Sequence, residues 1–333
     1  MDRKFGGYNF LIMKIKFLAT FIALIFLAAC ASATSATACD SAQFIDHVIV
    51  DVPVAQGTLV MPGTHFTKGW QVKNQGTCDW TADYALVQTG GDALGAAQEA
   101  ALPGLVAAGE TVDISVRLTA PAQTGTYRGQ WMLRNAEGQL FGVGPNGDRP
   151  LTTEFVVAEL PEPVVYDFAQ VICLAQWHSD RASFLPCEGE DDEQGLLDGY
   201  VRLNIEPALE SSKRGNPPVI EVKPNNQSGG WIAGFFPPIT IEEGDHFLAT
   251  IGCMASNPQC ALLFHLDYEL PDGTRATLGE WEQAFDGKVG EINVDLFDLA
   301  GDEVRLILAV HENGGRSLQA IGFWLSARLE REN

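Results

Sequence analysis

The densest run of chemically capable side chains is "CEGEDDEQG", Cys187 to Gly195, which gathers Glu188, Glu190, Asp191, Asp192 and Glu193. A hard cation such as Ca²⁺ wants about six to eight oxygen ligands. Glu190, Asp191 and Asp192 are therefore weak candidates for a metal site, with Asp180 and Asp198 as helpers. The spaced D-x-D-x-D-G loop is missing, so a solvated acidic loop is the simpler reading. No cofactor is expected, with Ca²⁺ as the minor alternative. A second group is aromatic. "GGWIAGFFPP" follows the polar "PNNQSGG", and large apolar residues beside Gly and Pro suit loop mouths where sugars stack. Trp177, Trp231, Phe236 and Trp281, together with Phe235, are the candidate ligand contacts. Burial in the core competes with that reading, because Phe235 and Phe236 point oppositely in a strand and one of them should be inside.

Catalytic constellations are sparse. No G-x-S-x-G elbow, H-E-x-x-H helix or P-loop is present. A G-x-G-x-x-G occurs at Gly142, Gly144 and Gly147, but Pro145 and Pro150 deny it the helix that would hold a pyrophosphate. It reads as a hairpin loop. His265 shares a strand face with Ala261, Leu263 and Asp267 and reads as a hydrogen-bonded structural histidine. Residues 161–333 hold 29 acids and 11 bases, so carboxylate pairs for glycoside hydrolysis exist in many combinations, and none stands out. Glu280 and Glu282 flank Trp281 and face away from it in a strand.

The whole chain carries a formal net charge of −22 over 333 residues. Such a surface repels nucleic acid. The N-terminus has a different character: Lys14 and Lys16 precede the apolar run Phe17 to Ala29, which is too short for a comfortable membrane span. Translation could start at Met1 or at Met13. The run ends in "LAAC", which resembles the lipobox of bacterial lipoproteins. The resemblance implies a signal peptide over 1–29, cleavage before Cys30 and acylation of its thiol. The alternative is an ordinary secretory signal cut near "ASA". A lipid on Cys30 would anchor the protein at the outer face of the cell membrane or the cell surface.

Seven cysteines are present. With Cys30 lipidated, six remain, an even number that suits an oxidising compartment. Proximity pairs Cys173 with Cys187 and Cys253 with Cys260, leaving Cys39 with Cys78. No CxxC pair supports a zinc site.

The elements that must position these residues are strands. "TVDISVRL" places Val112, Ile114, Val116 and Leu118 on one face, and "TYRGQWMLRN" aligns Tyr127, Gly129, Trp131 and Leu133. "HFTKGWQVKN" aligns Phe66, Trp70 and Val72, with Lys68 interrupting. The spacing puts Trp70 and Trp131 in a core, while Trp80, after the "GTC" turn, covers one end. The expected fold is all-β: a lipoprotein signal peptide (1–29), a lipidated Cys and tether (30–43), an Ig-like β-sandwich (44–158), a Pro-rich linker "ELPEPVV" (159–165) and a jelly-roll β-sandwich (166–333).

"MPGTHFTKGWQVKNQGTCDWTADYALVQTGGDAL", then "LPGLVAAGETVDISVRLTAPAQTGTYRGQWMLRNAEGQLFG", resembles the four-tryptophan Ig-like central domain of selective-autophagy cargo receptors of the next-to-BRCA-one type. Three of the four tryptophans map to Trp70, Trp80 and Trp131. Leu151 or Phe155 stands where the fourth is expected. The resemblance implies a protein-binding or scaffold module. "EINVDLFDLAGDEVRLILAVHENGG" and "QAIGFWLSARL" loosely resemble the closing strands of galactose-binding-like jelly rolls, many of which bind carbohydrate. The expected function is non-enzymatic binding of an extracellular glycan or envelope protein. A structural envelope scaffold is the alternative, and a glycoside hydrolase a more distant one.

Overall fold

The computed structural model describes residues 38–52, 56–211 and 217–332. The expected signal peptide, Cys30 and most of the tether lie outside the described residues. Cys39 to Asn333 forms one compact unit, built from two β-sandwiches.

The first sandwich holds β1 (Ala42–Ile49), β2 (Thr58–Val60), β3 (His65–Asn74), β4 (Ala85–Gly91), β5 (Glu99–Ala101), β6 (Thr111–Thr119), β7 (Gly125–Arg134), β8 (Leu140–Phe141) and β9 (Leu151–Val157). One sheet runs β1-β3-β6; the other runs β2-β9-β7-β4-β5, with β8 beside β7. The period-two pattern sorts as expected. In β6, Ile114, Val116 and Leu118 are buried and Asp113, Ser115 and Arg117 face out. Trp70 and Trp131 meet across the two sheets with ring centroids 5.4 Å apart. Gly129 is required beneath them: a Cβ there would lie 2.1 Å from the Trp131 ring. Trp80 does not cap one end but is fully buried against Phe141. Phe155, one of the two residues expected near the missing fourth tryptophan, is also fully buried and packs on Phe66 and Tyr127. All four aromatics therefore serve the core. Lys68, the interruption in β3, is 4% exposed, and burial pulls its pKa down.

The second sandwich holds β10 (Val164–Asp167), β11 (Gln176–Ser179), β12 (Tyr200–Asn204), β13 (Val219–Lys223), β14 (Trp231–Phe235), β15 (Ile239–Thr240), β16 (Asp245–Cys253), β17 (Ala261–Glu269), β18 (Arg275–Ala284), β19 (Gly290–Asp295), β20 (Glu303–Glu312) and β21 (Gly322–Arg331). One sheet runs β12-β13-β21-β16-β19, with β10 on β21. The other runs β11-β14-β20-β17-β18, with β15 on β20. Val304, Leu306, Leu308 and Val310 of β20 lie beside Leu262, Phe264 and Leu266 of β17 on the inner face of this sheet, all of them buried. The one α-helix among the described residues, α1 (Glu193–Asp198), is a single short turn.

The boundaries differ from the sequence reading in two places. Ala42 and Gln43, assigned to the tether, belong to β1 and pair with Asn74 and Lys73. Val164 and Val165, assigned to the linker, belong to β10 on the second sandwich. The linker is not a spacer, because the sandwiches pack directly on each other. The His65 amide donates to the Pro238 carbonyl at 2.8 Å. The Gln176 side-chain amide donates to the Asp51 carbonyl at 2.7 Å, and Arg117 pairs with Glu303. One continuous apolar cluster contains side chains from both.

Disulfides join Cys39 to Cys78, Cys173 to Cys187 and Cys253 to Cys260, the pairs that proximity suggests. Cys39–Cys78 closes the widest loop, with a sequence separation of 39. It also ties the start of β1 to the end of β3. Cross-linking a loop of that size stabilises by about 4 kcal/mol through the unfolded chain. The double variant Cys39→Ser, Cys78→Ser should lose about 2–4 kcal/mol in urea denaturation. An unchanged midpoint would show that the first sandwich does not depend on this staple.

Candidate functional site

The sequence-selected residues scatter. Trp177 is 1% exposed, and its indole N–H donates to the Ile172 carbonyl at 2.9 Å. Phe236 is also 1% exposed, packed between Phe168 and Trp177. Both are core residues and are withdrawn as ligand contacts. Trp281 pairs with Phe264 across β17–β18 and so lies on the inner side of the sheet, its ring laid over Gly279. It packs against the core and does not join a binding face. Glu190, Asp191 and Asp192 are exposed. Asp192 is occupied as a helix cap, accepting from the Gly195 amide at 2.8 Å. Among the described residues, no group of three or more His, Cys, Asp or Glu is placed to hold a metal ion.

Only Trp231 keeps its place, and the register shows what surrounds it. Residues opposite one another in antiparallel strands share a face. On the outer face of the β11-β14-β20-β17-β18 sheet this produces four cross-strand rows. The first is Trp231, His311, Leu263 and Glu282. The second is His178, Ala233, Ala309, His265 and Glu280. The third is Gln176, Phe235, Ile307, Asp267 and Thr277. The fourth is Arg305, Glu269 and Arg275. Spaced two residues apart, the rows cover roughly 20 Å along the strands.

Among the described residues no further sheet covers this face, yet Ala233, Ile307 and Ala309 on it are 6%, 3% and 4% exposed. Long side chains at the margins account for the burial. With strands about 4.8 Å apart, β18 lies roughly 14 Å from β14, and the guanidinium of Arg275, on β18, reaches across to 4.8 Å from the Phe235 ring, on β14. The small side chains at the centre form a floor between Trp231 and Phe235.

Polar groups on this floor are incompletely satisfied. His265 places Nδ1 3.5 Å from the Glu280 carboxylate, but its Nε2 is buried without a hydrogen-bond partner. Oδ1 of Asp267, two residues along the strand, is buried and unpartnered as well. Native proteins leave few such atoms, because each costs about 1–3 kcal/mol. His311 stacks near His265, with centroids 4.7 Å apart. Burial first, then the His265 ring, holds His311 below the ordinary imidazole range, against the pull of Asp267, Glu280 and Asp180. His178 is lowered too, by burial and by Arg275 and Arg305.

The sequence reading had set His265 aside as structural and had not singled out His178, His311 or Arg305. The available signal was polar residues at alternate positions of strongly apolar strands: His265 and Asp267 in "ALLFHLDYEL", Arg305 and His311 in "EVRLILAVHE". Pairing order was needed to bring them together.

Comparisons with known proteins bear on the first sandwich. Residues 53–145 match the family model described as the Ig-like domain from next to BRCA1 gene. Protein ILRUN of Danio rerio is 36% identical over 94 residues, covering 28% of this chain and 33% of that protein. Protein JOKA2 of Solanum tuberosum is 41% identical over 98 residues, 28% of this chain and 11% of that one. The human Next to BRCA1 gene 1 protein is 38% identical over 104 residues, 31% and 10%. The first sandwich is an Ig-like domain of this type. The chain spans a third or less of the length of these relatives, and the family match ends at residue 145, within the first sandwich. Among solved structures, a carbohydrate-binding module of the β-sandwich superfamily is 12% identical with a TM-score of 0.32, covering 87% of this chain and 98% of that one. A module solved with β-1,4-galactotriose is 10% identical with a TM-score of 0.30, covering 47% and 88%. TM-scores this low carry no argument about ligand.

The lowered histidines set a pH dependence. The unfolded chain takes up protons near pH 6.5, while folded His311, His178, His65 and His47 do so only at lower pH. Between those values the unfolded state binds more protons, so stability rises with pH and falls on acidification. Urea denaturation should show lower stability at about pH 5.5 than at about pH 7, and His311→Gln should narrow the difference. An undiminished difference in that variant would remove His311 from the account.

Proposed function

We propose that this protein is a non-enzymatic glycan-binding module, and that the outer face of the β11-β14-β20-β17-β18 sheet is its binding surface. One observation carries the reading. A half-exposed tryptophan, Trp231, borders an uncovered face whose floor holds two polar atoms without partners, His265 Nε2 and Asp267 Oδ1. Sugars present an apolar ring face and a rim of hydroxyls, each both donor and acceptor. An aromatic side suits the ring, and the imidazole and carboxylate suit the hydroxyls, directly or through an ordered water. Alternation along β17 spaces His265 and Asp267 about 7 Å apart, a separation on the scale of one sugar ring.

The first sandwich takes the role of support in this reading. Its tryptophans are buried, so they offer no ligand surface, and its contacts hold the second sandwich at β15 and β20. Anchoring through a lipid on Cys30, at the outer face of a cell membrane, belongs to the same proposal and rests on the sequence. A hydrolase reading has one favourable observation, the presence of Asp267, Glu280 and Glu282 on the ligand face; glycosidases set two carboxylates across the scissile bond. Glu280 is already engaged with His265, which favours a fixed binding surface over a free acid and base.

Titration of residues 38–333 with a panel of oligosaccharides, followed by calorimetry and tryptophan fluorescence, tests the reading. Trp231→Ala should weaken binding about tenfold or more, and His265→Ala and Asp267→Ala should each weaken it. Trp281→Ala should bind normally. Saccharide binding that survives Trp231→Ala and Asp267→Ala would place the site elsewhere. Turnover of the bound saccharide would revive the hydrolase.

A further inference from the structure

The fourth row of this face lines a cleft between the two sandwiches. The cleft has a volume of 390 Å³, with Arg117 and Asp51 contributed by the first sandwich and Arg275, Arg305, Glu269 and Glu303 by the second. Three guanidinium groups converge in a protein with 43 acids against 21 bases. Two of them are paired, Arg117 with Glu303 and Arg275 with Glu269. Arg305 is different. It is half-buried and lies directly across from Glu269 in the β17–β20 register. It has no hydrogen-bonded or ion-paired carboxylate among the described residues, since Glu269 turns to Arg275. A half-buried arginine without an ion pair, at the mouth of a cleft continuous with the outer face of the sheet, has a fork of donors available.

We infer that this end of the groove takes the carboxylate of an acidic saccharide, a uronate, on Arg305, so that the ligand runs from the second sandwich into the cleft walled by the first. The inference rests on the glycan-binding reading and names its ligand class. A guanidinium offers two parallel N–H donors to the two oxygens of a carboxylate. Asp51, Glu269 and Glu303 equal the three guanidiniums in number and so disfavour a doubly charged phosphate group, whereas a planar carboxylate matches the free donor fork of Arg305. Arg275 covers the Phe235 ring, which leaves Trp231 for stacking and this end for charge. The Ig-like sandwich then contributes a wall of the site through Arg117 and Asp51.

Residues 38–333 would be titrated with oligogalacturonate, with its methyl ester and with a neutral xylo-oligosaccharide, at low and high salt. The free acid should bind about tenfold more tightly than its ester, the gain expected of one charge-assisted bidentate contact, and added salt should shrink that gap. Arg305→Gln should lower the affinity for oligogalacturonate to that of the ester, with Arg305→Lys intermediate. Equal binding of acid and ester by the unsubstituted protein would overturn the inference while leaving the glycan-binding reading intact. A preference for the acid that persists in Arg305→Gln would also overturn it. Binding of none of the three saccharides would count against both. The acid–ester comparison needs no variant, so a poorly folding Arg305→Gln protein does not blunt the test.

Discussion

Strand β20 sets the register on which the site depends. It is paired along its length on both sides, with β14 and with β17. Its even-numbered residues from Val304 to Val310 are sealed between the sheets, and its odd-numbered residues face out. A slip of one residue would send His311, Ala309, Ile307 and Arg305 into the core and the valines and leucines to the surface. The apolar cost of such a slip is several buried side chains, each worth about 1.5–3 kcal/mol. That cost holds Trp231 beside His311, and His265 beside Ala309. The outer face is thus positioned by hydrophobic burial on its reverse side.

The side chains at the margins then shape this face into a groove. Small residues at the centre, Ala233 and Ala309, leave room for the larger ones at the margins to lean inward. Arg275 from one edge strand closes over Phe235 near the other. In such a setting polar groups are drawn out of water before any ligand arrives. The unpartnered atoms of His265 and Asp267 are a local sacrifice of stability, the pattern expected where structure serves binding. The depressed histidines record the same desolvation.

The Ig-like sandwich solves a different problem. Trp70, Trp80, Trp131 and Phe155, with Phe66, Tyr84 and Phe141, are buried in the core between its two sheets. Its contribution lies at the junction, where His65 bridges Thr119 of its own β6 and Thr240 of the neighbouring β15. Arg117, also on β6, meets Glu303 at the start of β20. The strand that orders the ligand face is therefore held at one end by the other sandwich. The Ig-like sandwich thus braces one end of the second sandwich.

The sequence by itself determined the all-β class, the two sandwiches and the Ig-like character of the first. Period-two alternation, the tryptophan spacing and the cysteine positions are local, and each follows from how one strand or one turn meets the core. It also recognised that one of Phe235 and Phe236 had to be inside. It misjudged Trp177, Phe236 and Trp281, because an aromatic beside Gly and Pro looks the same whether its strand faces outward or inward. Only the tertiary structure decided that His265, Asp267, His311 and Arg305 share one face, since they come from strands about forty residues apart that are joined by pairing order alone. It alone showed that the linker does not separate the sandwiches. Alternation reports which side of a strand is buried; it does not report which strands are neighbours, or which polar atom is left without a partner.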